Sequence, residues 1–406
     1  MKINQDTFCG APWFQIRNRQ DMTKSVCCVV EMADTDPGTE LMSPLEYLNS
    51  PKIKNMKMAM ANGVKIPQCK ECWDKEKTGD HSYRQQINSF LQGKWLDVYL
   101  KNKKDYNTDM VLMADIKIGN TCNFACVMCN PSDSSMIYNS WVKQKDERFV
   151  KEYIDDDESY FEKAKRNGYK QTTYRDYIES IINNKHIKII KMLGGEPLLD
   201  QKLIQMLADL PQDRKNKLKL EIITNGSHDM NAFTERLGEF KSIQWNISLE
   251  GIESSQDYAR YGSNWNEVEK NILAKREKTD DLSVLSCLQA TTITKLHNLI
   301  NWTNTHDIPF QLGELTHPDY LTMSAVPNEL KETTLENLSK VGTYTVSETR
   351  EFKALDIKSL IDFINISQYN KSLHHKFMEY IAFYEKGKII PNFLDVFEEW
   401  SPYFEV

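Results

Sequence analysis

Two hydrophobic periods alternate along the middle of the chain. Residues 111–118 repeat every two positions, with Val111, Met113, Asp115 and Lys117 on one side and Leu112, Ala114, Ile116 and Ile118 on the other, which predicts a strand. The same reading places strands at 187–193, 218–223, 243–249, 283–291 and 308–315. Amphipathic stretches at helical spacing lie between them, near 201–210, 231–240, 265–275 and 296–306. Strands alternating with helices predict an α/β fold with a parallel sheet. Two regions depart from this rhythm. Residues 131–185 are far longer than an ordinary connection. They carry helix-like stretches near 134–145 and 174–183, and between these an acidic and aromatic run around Tyr153, Asp155, Asp156, Asp157, Glu158, Tyr160 and Phe161. That insertion reads as a substrate lid or as a solvated surface excursion. After Pro327 the pattern turns helical, at 330–341, 353–364 and 373–386, with Gly387 as a C-terminal cap. The apolar tail with Phe393, Phe397, Trp400 and Phe404 is expected to pack on the α/β core.

Cysteines fall at informative places on this pattern. Cys122, Cys126 and Cys129, spaced C-x3-C-x2-C, follow the first predicted strand. Three thiolates on one loop can hold three corners of a cubane iron–sulfur cluster, which normally takes four. One iron then keeps an open position at which a substrate or cosubstrate can be chelated. The second strand runs into Gly194-Gly195-Glu196-Pro197. The glycines let backbone come close to a ligand, Pro197 presets the start of a helix, and Glu196 offers acceptors for an ammonium group. Taken alone, this tetrapeptide is equally a strand-to-helix turn.

Together these residues resemble the radical S-adenosylmethionine (SAM) superfamily, whose two signature elements are C-x3-C-x2-C after the first strand and GGEP after the second. The resemblance implies an open, partial (β/α)6 barrel of the TIM type, with Cys122, Cys126 and Cys129 holding a [4Fe-4S] cluster. It implies that SAM chelates the open iron and is cleaved reductively to a 5′-deoxyadenosyl radical that takes hydrogen from a substrate. It also implies SAM contacts from Gly194, Gly195, Glu196 and Pro197, from Ser248 and Glu250 on the ribose, and from Arg260 on the carboxylate. An arginine fork suits that carboxylate, and a surface ion pair is its other reading. Glu250 departs from the more frequent aspartate. Asn225 either fixes the adenosine end or forms an Asn-Gly turn. Met128 stands where relatives often have an aromatic residue before the third cysteine.

A second cysteine set precedes the first: Cys9, then Cys27 and Cys28, then Cys69 and Cys72, followed by Glu76, Gly79, Ser82, Arg84 and Asn88. Its layout resembles a twitch or SPASM auxiliary cluster domain, although such domains usually follow the barrel and full SPASM domains carry more cysteines. The resemblance implies one auxiliary [4Fe-4S] cluster on Cys9, Cys27, Cys69 and Cys72, with Cys28 as the alternative to Cys27. A structural zinc site fits the same spacing. Disulfides fit less well, because no apolar signal segment precedes Phe8 and cysteine-rich cytosolic chains favour metal. Cys287, in an apolar strand, reads as a buried core thiol.

Composition changes little. At 406 residues the chain has room for a barrel and further modules. We expect an auxiliary module at 1–105, the barrel at 106–330 with its insertion at 131–185, and a helical extension at 331–406. No apolar run is long enough to span a membrane, and a cytoplasmic location is expected. A net charge of -7 argues against a large nucleic-acid surface. The expected function is radical modification of a peptide or protein residue by crosslinking, oxidation or epimerisation, with a reducing partner such as flavodoxin or ferredoxin. A small metabolite, nucleoside or sugar derivative is the alternative substrate. A non-catalytic metal-cluster scaffold is the alternative of another class.

Overall fold

The computed structural model describes residues 4–19, 22–33, 39, 42–77, 82–91, 96, 99–100, 105–131, 133–144, 149, 171–279, 281–341 and 357–404. The strands in these residues are β1 (Gln15–Asn18), β2 (Lys24–Ser25), β3 (Met113–Lys117), β4 (Ala125–Cys126), β5 (Ile189–Leu193), β6 (Lys219–Thr224), β7 (Ser242–Ser248), β8 (Arg260–Tyr261), β9 (Leu282–Leu288) and β10 (Phe310–Glu314). Eight of them form one sheet in the order β10-β9-β7-β6-β5-β3-β1-β2. It is parallel throughout except where β2 meets β1. Every strand predicted from the hydrophobic pattern is present, with ends within three residues of the predicted bounds. With the intervening helices they make the partial TIM-type α/β fold.

The pattern predicts no strand before residue 111, yet β1 lies there, parallel to β3 with Arg17 beside Asp115. All four residues of β1 are buried, so it carries no alternation to read. The segment expected as a separate N-terminal module thus shares the sheet of the barrel.

Exposure alternates along the inner strands. On β6, Leu220, Ile222 and Thr224 are buried, while Lys219, Glu221 and Ile223 are half-buried. The buried set belongs to the face covered by the helices Gln201–Ala208, Met230–Leu237, Trp265–Arg276 and Leu296–Thr305. Lys275 of one of these helices lies over the Trp245 ring of β7, which fixes that side as the outer face. The inner face is polar. One register row runs Arg17, Asp115, Lys191, Glu221, Gln244 across five strands.

The insertion contributes the helices Ser135–Gln144 and Gln171–Asn183. Its acidic and aromatic run, like Gly79, lies outside the described residues. The C-terminal region forms the helices Asn328–Ser339, Ile357–Ile366 and Lys371–Glu385, and Gly387 follows the last of them at φ +76°. The expected packing of the tail is present. Phe393 and Phe397 lie 5.7 and 5.5 Å from Tyr258, at the end of the helix Glu253–Ala259 that follows β7. No helix among the described residues is long and apolar enough to cross a membrane.

Candidate active site

Barrel-type folds carry their sites at the C-terminal ends of the strands, and the three-cysteine loop starts there, after β3. It is held on three sides. From the insertion, Ser134 Oγ donates to the Phe124 carbonyl (2.6 Å) and Cys122 N–H donates to Ser135 Oγ (3.2 Å). From β8, Cys126 pairs antiparallel with Arg260, and Val127 N–H donates to the Ala259 carbonyl (2.8 Å). From the C-terminal helix, Tyr380 and Tyr384 donate to the Val127 (2.7 Å) and Ala125 (3.0 Å) carbonyls. Gly262 fits beneath the loop because it lacks a side chain. At φ +101° its Cβ would stand 2.6 Å from the Asn123 carbonyl oxygen.

The Gly-Gly-Glu-Pro turn closes on the same loop. Glu196 N–H donates to the Thr121 carbonyl (2.8 Å), and a Cβ on Gly195, at φ +52°, would lie 2.3 Å from that oxygen. Only glycine permits this approach. Pro197 opens the short turn Pro197–Leu199, and Gly194 stands above Lys117. Glu196 itself is buried. Its carboxylate accepts from Asn225 N–H (2.7 Å), Thr224 Oγ1 (2.8 Å) and Leu198 N–H (3.1 Å). Burial still pushes it above the usual carboxylate range. A carboxylate offers about four acceptor positions, so most of the capacity expected for an ammonium is already spent on locking β5 to β6. Glu196→Ala should therefore cost about 2–4 kcal/mol of stability, because buried donors lose their partner. Thermal unfolding of the variant against the parent measures it.

Arg260 and Glu250 also find each other. They form an ion pair at 2.8 Å with side chains 12% and 1% exposed, so Arg260 is no surface residue. The second oxygen of Glu250 accepts from Cys287 N–H (3.0 Å), Gln289 Nε2 (3.0 Å) and Ser286 Oγ (3.3 Å). The ribose contact expected of Glu250 thus competes with four internal donors. Arg260 reaches further. One guanidinium nitrogen donates to Cys126 Sγ (3.7 Å), while its buried Nε has no partner among the described residues. Burial works against its charge, but the Cys126 and Glu250 anions outweigh that and hold its pKa above the ordinary value. Arg260→Ala should cost about 3 kcal/mol or more by stranding Glu250. The double variant Arg260→Met with Glu250→Gln should recover part of that loss, as read by denaturant unfolding.

The remaining expected residues sit around this pair. Asn225 Nδ2 donates to Asn123 Oδ1 (2.9 Å), and its own Oδ1 accepts from Ser227 Oγ (2.6 Å). Asn225 therefore ties its turn to the cysteine loop. Ser248 ends β7, half-buried, beside Leu285 in register. Cys287 corrects the sequence expectation. It is half-buried on the inner face, within electrostatic reach of Glu250, Arg260 and Cys126, and burial pushes its thiol up to about 12. Its parity with Ser283 and Leu285 in β9 was the available signal. Among the loop thiols, burial raises Cys126 to about 12 against the pull of Arg260, and Cys129 is raised by burial and by Cys126. Phe124 N–H donates to Cys122 Sγ (3.4 Å). Soft thiols with N–H and guanidinium donors on their sulfurs are a donor set that fits an iron–sulfur cluster.

The N-terminal cysteines assemble elsewhere. Cys69 ends the turn Pro67–Cys69, and Cys72 lies in the first turn of the helix Lys70–Lys77. Cys27 Sγ accepts from Val30 N–H (3.5 Å) at the start of the helix Cys28–Ala33. After burial, mutual repulsion raises these thiols: Cys27 feels Cys28, Cys9 and Cys69, and Cys69 feels Cys9 and Cys72. Cys28 lies within electrostatic reach of Arg17, Lys191, Asp115 and Glu71 as well as of Cys27 and Cys72. Residues noted from sequence only for their spacing prove to be braces. Glu76 holds Ser82 (2.5 Å) and Arg84 (2.7 Å), and Arg84 and Asn88 both donate to the Phe8 carbonyl at 2.8 Å beside Cys9. Among the described residues no group of three or more His, Cys, Asp or Glu converges on one point as the ligands of a single ion would.

Residues 116–288 match the family model of the radical SAM superfamily. No curated protein matches the chain. Among solved structures, anSMEcpe with bound AdoMet and the Cp18Cys peptide is similar at 17% identity and a TM-score of 0.36, over 56% of this chain and 58% of that one. The chain thus spans less than two thirds of that protein. Streptococcus suis SuiB is similar at 14% identity and a TM-score of 0.35, over 84% of this chain and 70% of that one. TYW1 with a lysine-pyruvate adduct bound is similar at 13% and 0.31, over 59% and 74%. A domain of this superfamily works with a [4Fe-4S] cluster and SAM. Residues 116–288 match such a domain.

Proposed function

We propose that the protein modifies a residue of a peptide or protein, with Cys122, Cys126 and Cys129 as ligands of the catalytic cluster. Bound at that loop, cluster and SAM supply the one-electron cleavage that yields a 5′-deoxyadenosyl radical for hydrogen abstraction. The chain's own residues hold this site in shape. Glu196 fixes the turn after β5, Arg260 sets positive charge beside Cys126, and its unpartnered Nε is the group left to meet a carboxylate of SAM. Cys9, Cys27, Cys69 and Cys72 are proposed to hold the auxiliary cluster, within a twitch-like segment at 1–105 that precedes the barrel at 106–330 and the extension at 331–406. A flavodoxin or ferredoxin supplies the electron.

One observation carries the peptide reading. The inner face between the two cysteine sets is a row of alternating charges ending in an amide, from Arg17 to Gln244. A polar wall with donors and acceptors side by side suits a peptide main chain, which brings both. The test uses deuterium. The reconstituted enzyme, SAM and reductant are mixed with either the peptide fraction or the small-molecule fraction of cells grown in deuterated medium. Label should appear in 5′-deoxyadenosine with the peptide fraction. Label arriving only from the small-molecule fraction would reject the peptide reading.

A further inference from the structure

Among the described residues the inner row contains one cation with no hydrogen bond or ion pair of its own. Arg17 is paired with Asp115, and Lys219 pairs with Glu221 at 3.1 Å. Lys191 stands between these two engaged carboxylates in register. It is half-buried, flanked along β5 by Ile190 and Met192, which are buried on the outer face. Among the described residues no hydrogen bond or ion pair engages its ammonium. A second group beside it is also incomplete. Asp115 is 2% exposed, and its Oδ1 is buried with no hydrogen-bond partner among the described residues. An unmet buried acceptor is costly and is normally satisfied by something.

These two groups are neighbours. Adjacent strands lie about 4.8 Å apart, so the Lys191 and Asp115 side chains leave the wall within reach of one small ligand. Lys191 needs an anion and Asp115 Oδ1 needs a donor. A single amino-acid residue supplies both, a carboxylate and an adjacent amide N–H. The place is suitable for a substrate. Lys191 is two positions before the end of β5, about 10 Å along the strand from the start of the turn that closes on the cysteine loop. Cys28 of the other cysteine set lies within electrostatic reach of Lys191, Arg17 and Asp115.

We propose that Lys191 and Asp115 form the seat of a substrate carboxylate: the ammonium of Lys191 binds the carboxylate, and Asp115 Oδ1 accepts the N–H next to it. The carboxylate is an acidic side chain or a free C-terminus. The proposal rests on the peptide reading above and narrows it to peptides that carry such a group near the reacting residue.

The test is binding of four small probes to the anaerobically reconstituted protein with SAM, followed by saturation-transfer NMR. N-acetyl-aspartic acid amide carries a side-chain carboxylate, N-acetyl-alanine a terminal one, N-acetyl-alanine amide none, and glutarate has carboxylates without an amide. One of the first two should bind about ten- to hundred-fold more tightly than the neutral amide, as a charge-assisted contact implies. Which one binds tells the two sources apart. Lys191→Met should erase the preference and Lys191→Arg should keep it, with iron content as the check that both variants are assembled. Asp115→Asn keeps the shape but weakens acceptance, and should lower the affinity of the amide-bearing acid while sparing glutarate. Equal binding of the neutral amide, a preference that survives Lys191→Met, or no binding by any of the four overturns the proposal. Lys191-dependent binding of glutarate alone keeps the anion seat and removes the peptide reading.

Discussion

Replacing Cys122, Cys126 or Cys129 with Ala will abolish 5′-deoxyadenosine formation from SAM under strong reductant. Three ligands are the minimum that leaves one iron of a cubane open while holding the other three. The loop has no spare thiol to move into a gap. Cys126 is pinned by backbone pairing to Arg260, and the carbonyls on either side of it are held by Tyr384 and Tyr380. Cys287 lies within electrostatic reach of Cys126 but sits on β9 in the sheet, where register with β10 fixes it. The loss should therefore be complete, and a chromatographic assay of 5′-deoxyadenosine reads it. Wild-type turnover in any of the three variants would remove these cysteines from the catalytic cluster.

The second large effect is in metal content. The reconstituted protein should hold about eight irons per chain, two clusters of four. A variant lacking Cys122, Cys126 and Cys129 should keep about half of that iron and still show a cluster spectrum. A structural zinc site would give about four irons and one zinc, and no cluster in that variant. Within the N-terminal set, Cys27→Ser should lose the auxiliary cluster and Cys28→Ser should retain it. Neighbouring residues at a helix start do not face the same way. Cys27 lies within electrostatic reach of Cys28, Cys9 and Cys69, whereas Cys28 is also within reach of Arg17, Lys191 and Asp115. The reverse result would exchange the two roles. Zinc in place of the second cluster would end the auxiliary assignment.

What the sequence reveals follows from what each residue is buried against. Strands β3, β5, β6, β7, β9 and β10 were legible because one face meets helices and the other a polar interior, which writes a period of two into the chain. The four buried residues of β1 carry no such contrast, so the joining of the N-terminal segment to the sheet stayed hidden. The cysteine loop and the Gly-Gly-Glu-Pro turn were legible because their spacing is itself chemical. Their partners were not. Nothing local to Glu196 or Glu250 says that donors from β6 or β9 will fill their acceptors, since those contacts join residues about thirty to forty positions apart. The sequence hides the inward side of Cys287 for a related reason. Its neighbours are apolar, and only its parity within β9 turns it inward.

The tyrosines of the helix Lys371–Glu385 bear on how the protein is made. Residues 122–129 leave the ribosome long before Tyr380 and Tyr384, whose hydroxyls grip the Val127 and Ala125 carbonyls. Until that late helix docks, the loop lacks one of its three supports. Chains fold from the N-terminus as they emerge. The N-terminal cysteines, by contrast, are braced by Glu76, Arg84 and Asn88 from the same early stretch. The barrel loop thus gains its full support only once residues 371–385 have been made, whereas the contacts that brace the N-terminal cysteines come from residues 76–88.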